Sequence, residues 1–427
     1  MTALHTIDTV VIGAGHAGLA VSRLLTLAGR EHVVLDGGRV GERWRTARWD
    51  SLHLLSPNWL NRLPGWPTAG PADAFQSSGD FVSLLEQYAA SFDAPVLTGT
   101  TVTHLTAAPG GYELRTHHAT WRARSVVVAA GPHAVPLVPS AVGPTDVRVL
   151  TADRYRNPGQ LRSGGVLVVG ASATGVQIAD ELARSGRDVV LAVGRHTRVP
   201  RRYRGMDLFW WLESTGRLAR TIDEAPDPVA ARQDASLQLG GRSRADDVDS
   251  EVDLAALQRR GVRLTGRLRS LGGVSAAFDD DLAALTADAD RRMHGLLDSI
   301  DRYVDRVGLT REVLAPARPS AVPTVGTPSR LDLRAEGIGT VVLATGFRPD
   351  HGWVDLPVLE PDGTFRQTRG VTDAPGLYVV GQRFQHRRDS AFIGGARHDA
   401  HAVVQHLTNG AVPRTDRDAA RTGEESS

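Results

Sequence analysis

At 427 residues, with 41% hydrophobic and 23% charged residues and a net charge of +1, the chain reads as globular, with room for two or three domains. The balanced charge gives no reason to expect a nucleic-acid partner, and the absence of lysine excludes a Schiff-base lysine and a Walker-type phosphate loop. Without cysteine there is no disulfide framework, thiolate metal site or dithiol redox centre.

The N-terminus runs straight into a core strand with no basic leader, and no apolar run reaches the roughly 18 residues of a spanning helix. A cytoplasmic protein with no membrane span is expected. No metal site is expected either.

The first strand–turn–helix is Thr9-Val10-Val11-Ile12-Gly13-Ala14-Gly15-His16-Ala17-Gly18, followed by the apolar stripe Leu19, Ala20, Leu24 and Leu25. Gly13 permits a tight turn, Gly15 lets the backbone approach a pyrophosphate, and Gly18 lets helix and strand pack closely. A second strand over 31–35 ends at Asp36, 23 residues after Gly13, where a carboxylate suits a pair of ribose hydroxyls. Gly37 follows it.

Trp44, Trp49 and Trp59 then lie among arginines without helical or strand periodicity. They suit either a surface loop pinned by aromatic anchors or a loop covering a flat ring system. A helix over Phe81–Ala89 is expected, capped by Ser78 or Asp80. Short antiparallel strands follow near 96, 102, 112 and 120. A separate buried strand over 125–130 ends at Gly131.

A second signature, Val166-Leu167-Val168-Val169-Gly170-Ala171-Ser172-Ala173-Thr174-Gly175, opens another helix. Its next strand ends in Gly194-Arg195 with no acid. Arg195, 25 residues after Gly170, stands where a cation would meet a ribose 2′-phosphate, with Arg201 and Arg202 beyond. A solvated arginine cluster is the alternative.

The aromatic run 206–212 suits a domain interface better than a substrate entrance, and 243–250 reads as a polar surface loop. A long helix is expected over 279–305, its aspartates a solvated face. Four prolines between 316 and 328 read as a crossing between domains. The buried strand 340–344 ends at Gly346, and another over 376–380 ends at Gly381. Gly394-Gly395 then opens a helix to about Leu407, before a polar, disordered tail.

Together, GAGHAG with Asp36, GASATG with Arg195, the Leu343–Gly346 motif and Gly376-Leu377-Tyr378-Val379-Val380-Gly381 resemble the two-dinucleotide-domain flavoproteins, and within them the class B flavin monooxygenases. The stretches 44–58 and 387–393 resemble a bacterial subgroup labelled as cation-transport-associated flavoproteins. The resemblance implies an α/β fold of two Rossmann-like three-layer domains, the NADPH domain inserted in the FAD domain. The expected boundaries are 1–160 and 321–410 for the FAD domain, 161–320 for the NADPH domain, and 411–427 for the tail.

It further implies FAD over Gly13, Gly15, Gly18, Asp36, Gly37, Gly131, Gly346, Gly381, Gln382 and Phe392, with Trp44, Arg45 and His53 near its ring. NADPH would lie over Gly170, Ser172, Thr174, Gly175, Arg195 and Arg202. Asn58 is the implied hydrogen-bonding residue beside the flavin–oxygen site, the alternative being a turn residue after Pro57. The implied reaction is NADPH-dependent reduction of FAD, capture of O2 as a C4a-hydroperoxide, and oxygen transfer to N, S or a carbonyl of a small organic substrate.

Two features depart from the pattern. The FxGxxxH fingerprint is missing, and Gln382 replaces the usual acid. An NADPH oxidase or electron-transfer reductase, or a non-catalytic flavin-binding accessory protein, are the rival readings. A homo-oligomer is compatible with the sequence.

Overall fold

The computed structural model describes residues 3–68, 70–232, 237–239 and 252–409. The loop expected at 243–250 and the tail expected at 411–427 lie outside the described residues. Along the first part of the chain come β1 (Ala3–Ile12), α1 (His16–Leu27), β2 (His32–Leu35), α2 (Glu42–Thr46) and α3 (Ser78–Ala90). β3 (Val96–Leu97), β4 (Val102–Ala108), β5 (Gly111–Thr116) and β6 (Ala119–Val128) follow.

β1 lies between β2 and β6, parallel to both. β3 extends the sheet beyond β2, and the C-terminal strand Leu377–Val379 joins in parallel on the far side of β6. β4 and β5 form an antiparallel excursion on the first half of β6. The expected strands near 120 and 125 are therefore one strand. Its burial alternates while it pairs with β5 and becomes continuous over Ser125–Val128, where both faces are covered. α1 and the C-terminal helix Ala396–Asn409 share one apolar cluster on this sheet, through Ala17, Ala20, Leu24, Ala400 and Val403. α3 is capped not by Ser78 or Asp80 but by Ser77, in a capping box with Asp80.

A second parallel sheet has the order Arg263–Thr265, Val189–Ala192, Gly165–Val169, Ile338–Leu343, Arg148–Thr151. A smaller sheet beside it carries Val142–Thr145, Leu268–Gly273, Ser275–Phe278 and Arg330–Asp332. Strands Arg148–Thr151 and Ile338–Leu343 thus hydrogen-bond into the second sheet, which moves the domain crossings away from 160 and 320. The chain crosses instead at Val135–Pro136 and Phe347–Arg348, two short strands paired antiparallel to each other. The proline-rich stretch stays within the second domain. Ser320 O accepts from Arg198, Pro323 O from Gln258 and Pro328 O from Thr265.

The aromatic run forms the helix Leu208–Ser214. It packs against the long helix Leu282–Val307, with Trp211 fully buried and its Nε1 donating to Tyr203 O at 2.7 Å. Leu60 of the first domain joins the same cluster, and Phe392 lies edge-on to Phe209 at 5.8 Å. This is the domain interface expected of that run. Among the described residues, no helix is long and apolar enough to cross a membrane.

Candidate functional site

The two glycine turns are built alike. Gly13 has φ +109°, and a Cβ there would sit 2.6 Å from Ala129 O, while Gly170 has φ +105° and would meet Ala344 O at 2.5 Å. A Cβ on Gly18 would strike Gly13 O, and one on Gly175 would strike Gly170 O, both at 1.8 Å. In each unit, then, a strand end, a helix start and the next parallel strand approach at backbone distance. Gly15 is different: a Cβ there meets nothing within 4 Å. The space in front of the α1 N-terminus is open, and the first turn carries no acid to compete with an anion. In the second unit Ser172 holds the equivalent position without capping the helix through its side chain, and Thr174 is half-buried beside it.

The ends of the second strands differ in charge. Asp36 accepts from the amides of Ala14 and Gly38, at 2.6 and 2.7 Å, which fixes its carboxylate beside the first glycine turn. Gly37, packed on Thr101, opens onto a broad groove lined by Gly38, Arg39, Thr98 and Gly99. Arg195 follows strand Val189–Ala192 and is exposed; Arg202 is also exposed, in a short strand paired with Asp207.

In front of α1 the groups are mostly cationic. His16 opens the helix with its Nε2 buried and unpartnered, and burial lowers its pKa to about 4. His133, in the crossing segment, is lowered to about 3 by burial and by Arg48, Arg43, Arg383 and His16. Burial and Arg43 lower Arg48 to about 10, with Asp153 opposing. Arg43 donates to His133 O and leaves its Nε buried and unpartnered. Such a concentration of positive charge, facing an open helix N-terminus, fits a dianionic pyrophosphate. None of Arg43, Arg48, His133 and Arg383 stood among the expected cofactor residues. The visible signal was the density of arginines between 39 and 48.

The loop after α2 divides its residues. Trp44 stands edge-on to Phe81 at 4.9 Å, with the Arg48 guanidinium over the Trp44 ring at 5.3 Å. Arg45 turns away to pair with Glu86 of α3, so the structure does not bring it to the cationic group. Trp49 and Leu52 are buried in the second domain's core cluster. His53 holds Ser51 O through Nδ1 at 3.0 Å. Ser51 and Tyr155 both donate to Glu181 at 2.6 Å, and Asn157 donates to Asp50 at 2.6 Å, so the loop is stitched to the second domain.

Asn58 is buried, with Nδ2 on Pro71 O at 3.0 Å and its backbone amide on Ala74 O, while its Oδ1 has no partner. It organises the 57–74 turn. Gly131 and Gly346, at φ +77° and +97°, flank the crossing strands, and Gly381, at φ +85°, lies against Ala17 of α1. The Gln382 amide donates to Gln385 Oε1 at 3.3 Å. Phe392 belongs to the aromatic interface, edge-on to Phe209.

Residues 10–207 match the pyridine nucleotide-disulphide oxidoreductase family model, just under half of the chain. An uncharacterised CzcO-like oxidoreductase of Geobacillus kaustophilus is 29% identical over 95% of this chain and 99% of its own length. A probable indole-3-pyruvate monooxygenase, YUCCA1 of Arabidopsis thaliana, is 28% identical over 47% of this chain and 50% of its own. A flavin-containing monooxygenase from Stenotrophomonas maltophilia shares the fold at TM-score 0.66 and 18% identity, over 95% of this chain and 99% of that one.

Proposed function

We propose that this two-domain, flavin-monooxygenase-like oxidoreductase is an NADPH-dependent FAD monooxygenase of the C4a-hydroperoxyflavin type, acting on a small organic substrate. The observation that carries the reading is the pair of matched glycine turns with opposite charge beyond them, Asp36 in one and Arg195 in the other. The named likeness to a disulphide oxidoreductase supports the nucleotide domains but not thiol chemistry, because the chain has no cysteine.

The residues present fit FAD in the first domain. Gly15 leaves room for the pyrophosphate, the α1 N-terminus with Arg43, Arg48 and Arg383 supplies positive charge, and Asp36 would accept from the ribose. Bound there, FAD would supply hydride acceptance and oxygen activation. The chain's own part is binding, orientation and exclusion of water. The loop 44–58 would cover the ring, held down by the bonds of Ser51 to Glu181 and of Asp50 to Asn157. His133, uncharged at neutral pH, would donate or accept one hydrogen bond without releasing a proton. Arg195 would receive the 2′-phosphate of NADPH, with Ser172 and Gly175 at its pyrophosphate.

The test is the fate of the oxygen. FAD-loaded protein supplied with NADPH and a panel of amines, sulfides and ketones should place one atom of labelled O2 in a product, with hydrogen peroxide yield falling as that substrate is added. Stoichiometric peroxide with every substrate would establish the oxidase reading instead.

A further inference from the structure

We propose that the cavity beside the start of the C-terminal helix is a subsite for the carboxylate of an organic acid substrate. The proposal rests on the oxygenase reading above and names the class of molecule that it would oxygenate.

The cavity has a volume of about 130 Å³. That is close to the roughly 150 Å³ that encloses a benzene-sized group, so it takes one end of a small molecule. It lies where the two domains meet. Leu60 and Gly394 come from the first domain and Leu218 from the second, continuous with the cluster that holds Phe209 and Phe392. An apolar wall is therefore available for a hydrocarbon body.

The polar wall is basic. Arg62, Arg387 and Arg397 line it, together with His398. Arg387 is committed to Asp389, at 3.0 and 3.3 Å, and Arg62 donates its Nε to Trp59 O at 2.8 Å. Arg397 makes no ion pair among the described residues. Burial, and next the Arg62 guanidinium, lower its pKa, with Asp389 and Glu213 opposing. Glu213 also lines the cavity, but it is exposed and screened by water. With Asp389 spent on Arg387, Arg62 and Arg397 face one rim carboxylate, Glu213, leaving one positive charge uncompensated.

Burial, with Arg387 and Arg397, lowers His398 to about 4, so at neutral pH it is an uncharged hydrogen-bonding group. The 14-residue helix directs its positive end to the same place. The helix start cannot retreat, because a Cβ on Gly394 would meet Leu60 O at 1.9 Å and one on Gly395 would meet Asp389 O at 1.9 Å. A single carboxylate, accepting from Arg397 and Arg62 with its chain along Leu60 and Leu218, satisfies this lining. A neutral ligand leaves the charge unpaired, and a dianion overfills it.

The test compares phenylpyruvate with phenylacetone, which carries a methyl group in place of the carboxylate. Binding to the FAD-loaded protein is measured by titration calorimetry, and product formation separately with NADPH and O2. The acid should bind about tenfold or more tighter than the ketone, the gap of one charge-assisted hydrogen-bond pair. Arg397→Gln should remove that preference while FAD content stays at the wild-type level. Glu213→Gln, which deletes the repelling rim charge, should tighten the acid a few-fold and leave the ketone unchanged. Equal affinities, no detectable acid binding, or an Arg397→Gln protein that sheds FAD with its preference intact would each overturn the subsite. Tight, Arg397-dependent acid binding without oxygenated product would keep the subsite and sink the oxygenase reading. Oxygenation of acid and ketone at equal affinity would do the reverse.

Discussion

Gly15 and Gly18 carry the same letter in the same motif, yet they answer to different physics. A side chain at Gly15 finds open space and ordinary extended backbone, whereas one at Gly18 collides with Gly13 O. Gly15→Val should therefore leave the melting temperature within a few degrees of wild type and abolish FAD retention. Gly18→Ala should lower stability by about 1–3 kcal/mol through overpacking. Thermal melts beside flavin absorbance of the purified proteins separate the two, and a Gly15→Val protein that keeps its FAD would place the pyrophosphate elsewhere. Arg195 belongs to the same scale. Replacing it with Ala should weaken NADPH about tenfold or more and leave NADH little changed, because a charge-assisted contact is worth about 1.5–3 kcal/mol. Equal weakening in a binding titration would remove its 2′-phosphate role.

At the scale of elements, the start of α1 and the crossing segment face each other through His16 and His133. Both imidazoles have depressed pKa values, near 4 and 3, so the folded protein binds fewer protons than the unfolded chain below about pH 6.5. Their contribution to stability is present above that pH and is lost as pH falls toward 4. Asp399, in the first turn of the C-terminal helix, has the opposite sign. Burial and Asp389 raise it to about 7, with Ser390 opposing, so its contribution is present in acid and is lost as pH rises through 7. A bound pyrophosphate favours the charged histidines. FAD binding to apoprotein at pH 5–6 should therefore take up protons, read as a dependence of the calorimetric heat on buffer ionisation enthalpy. Proton release in that range would contradict the placement of the phosphates.

Which elements were legible in the sequence follows from how local their causes are. The glycine turns, Asp36, Arg195 and the long helix announce themselves through spacing and periodicity. The strand Ile338–Leu343 does not. Its run of buried β-branched residues suits either parallel sheet, and only its pairing with Gly165–Val169 and Arg148–Thr151 decides between them. The prolines after 316 look like a linker but are held to the second domain by Arg198, Gln258 and Thr265. Arg45 and Arg48 are close in sequence and diverge in space, one to Glu86 and the other to the cationic group. That division is set by α3 and the crossing segment, which no local pattern reports.

For the whole molecule, two nucleotide domains share a core at the aromatic helix and are joined by the paired crossing strands and the stitched loop 44–58. Trp49 and Trp211 are buried in this arrangement. In the proposed reaction, electrons pass from NADPH bound on one domain to FAD bound on the other, and then to oxygen. The most direct test is stopped-flow absorbance of the FAD-loaded protein, reduced anaerobically with NADPH and then mixed with oxygenated buffer. The expected result for this route is bleaching of the flavin by NADPH, followed by a transient absorbing species distinct from both reduced and oxidised flavin. A flavin that NADPH leaves oxidised would contradict it.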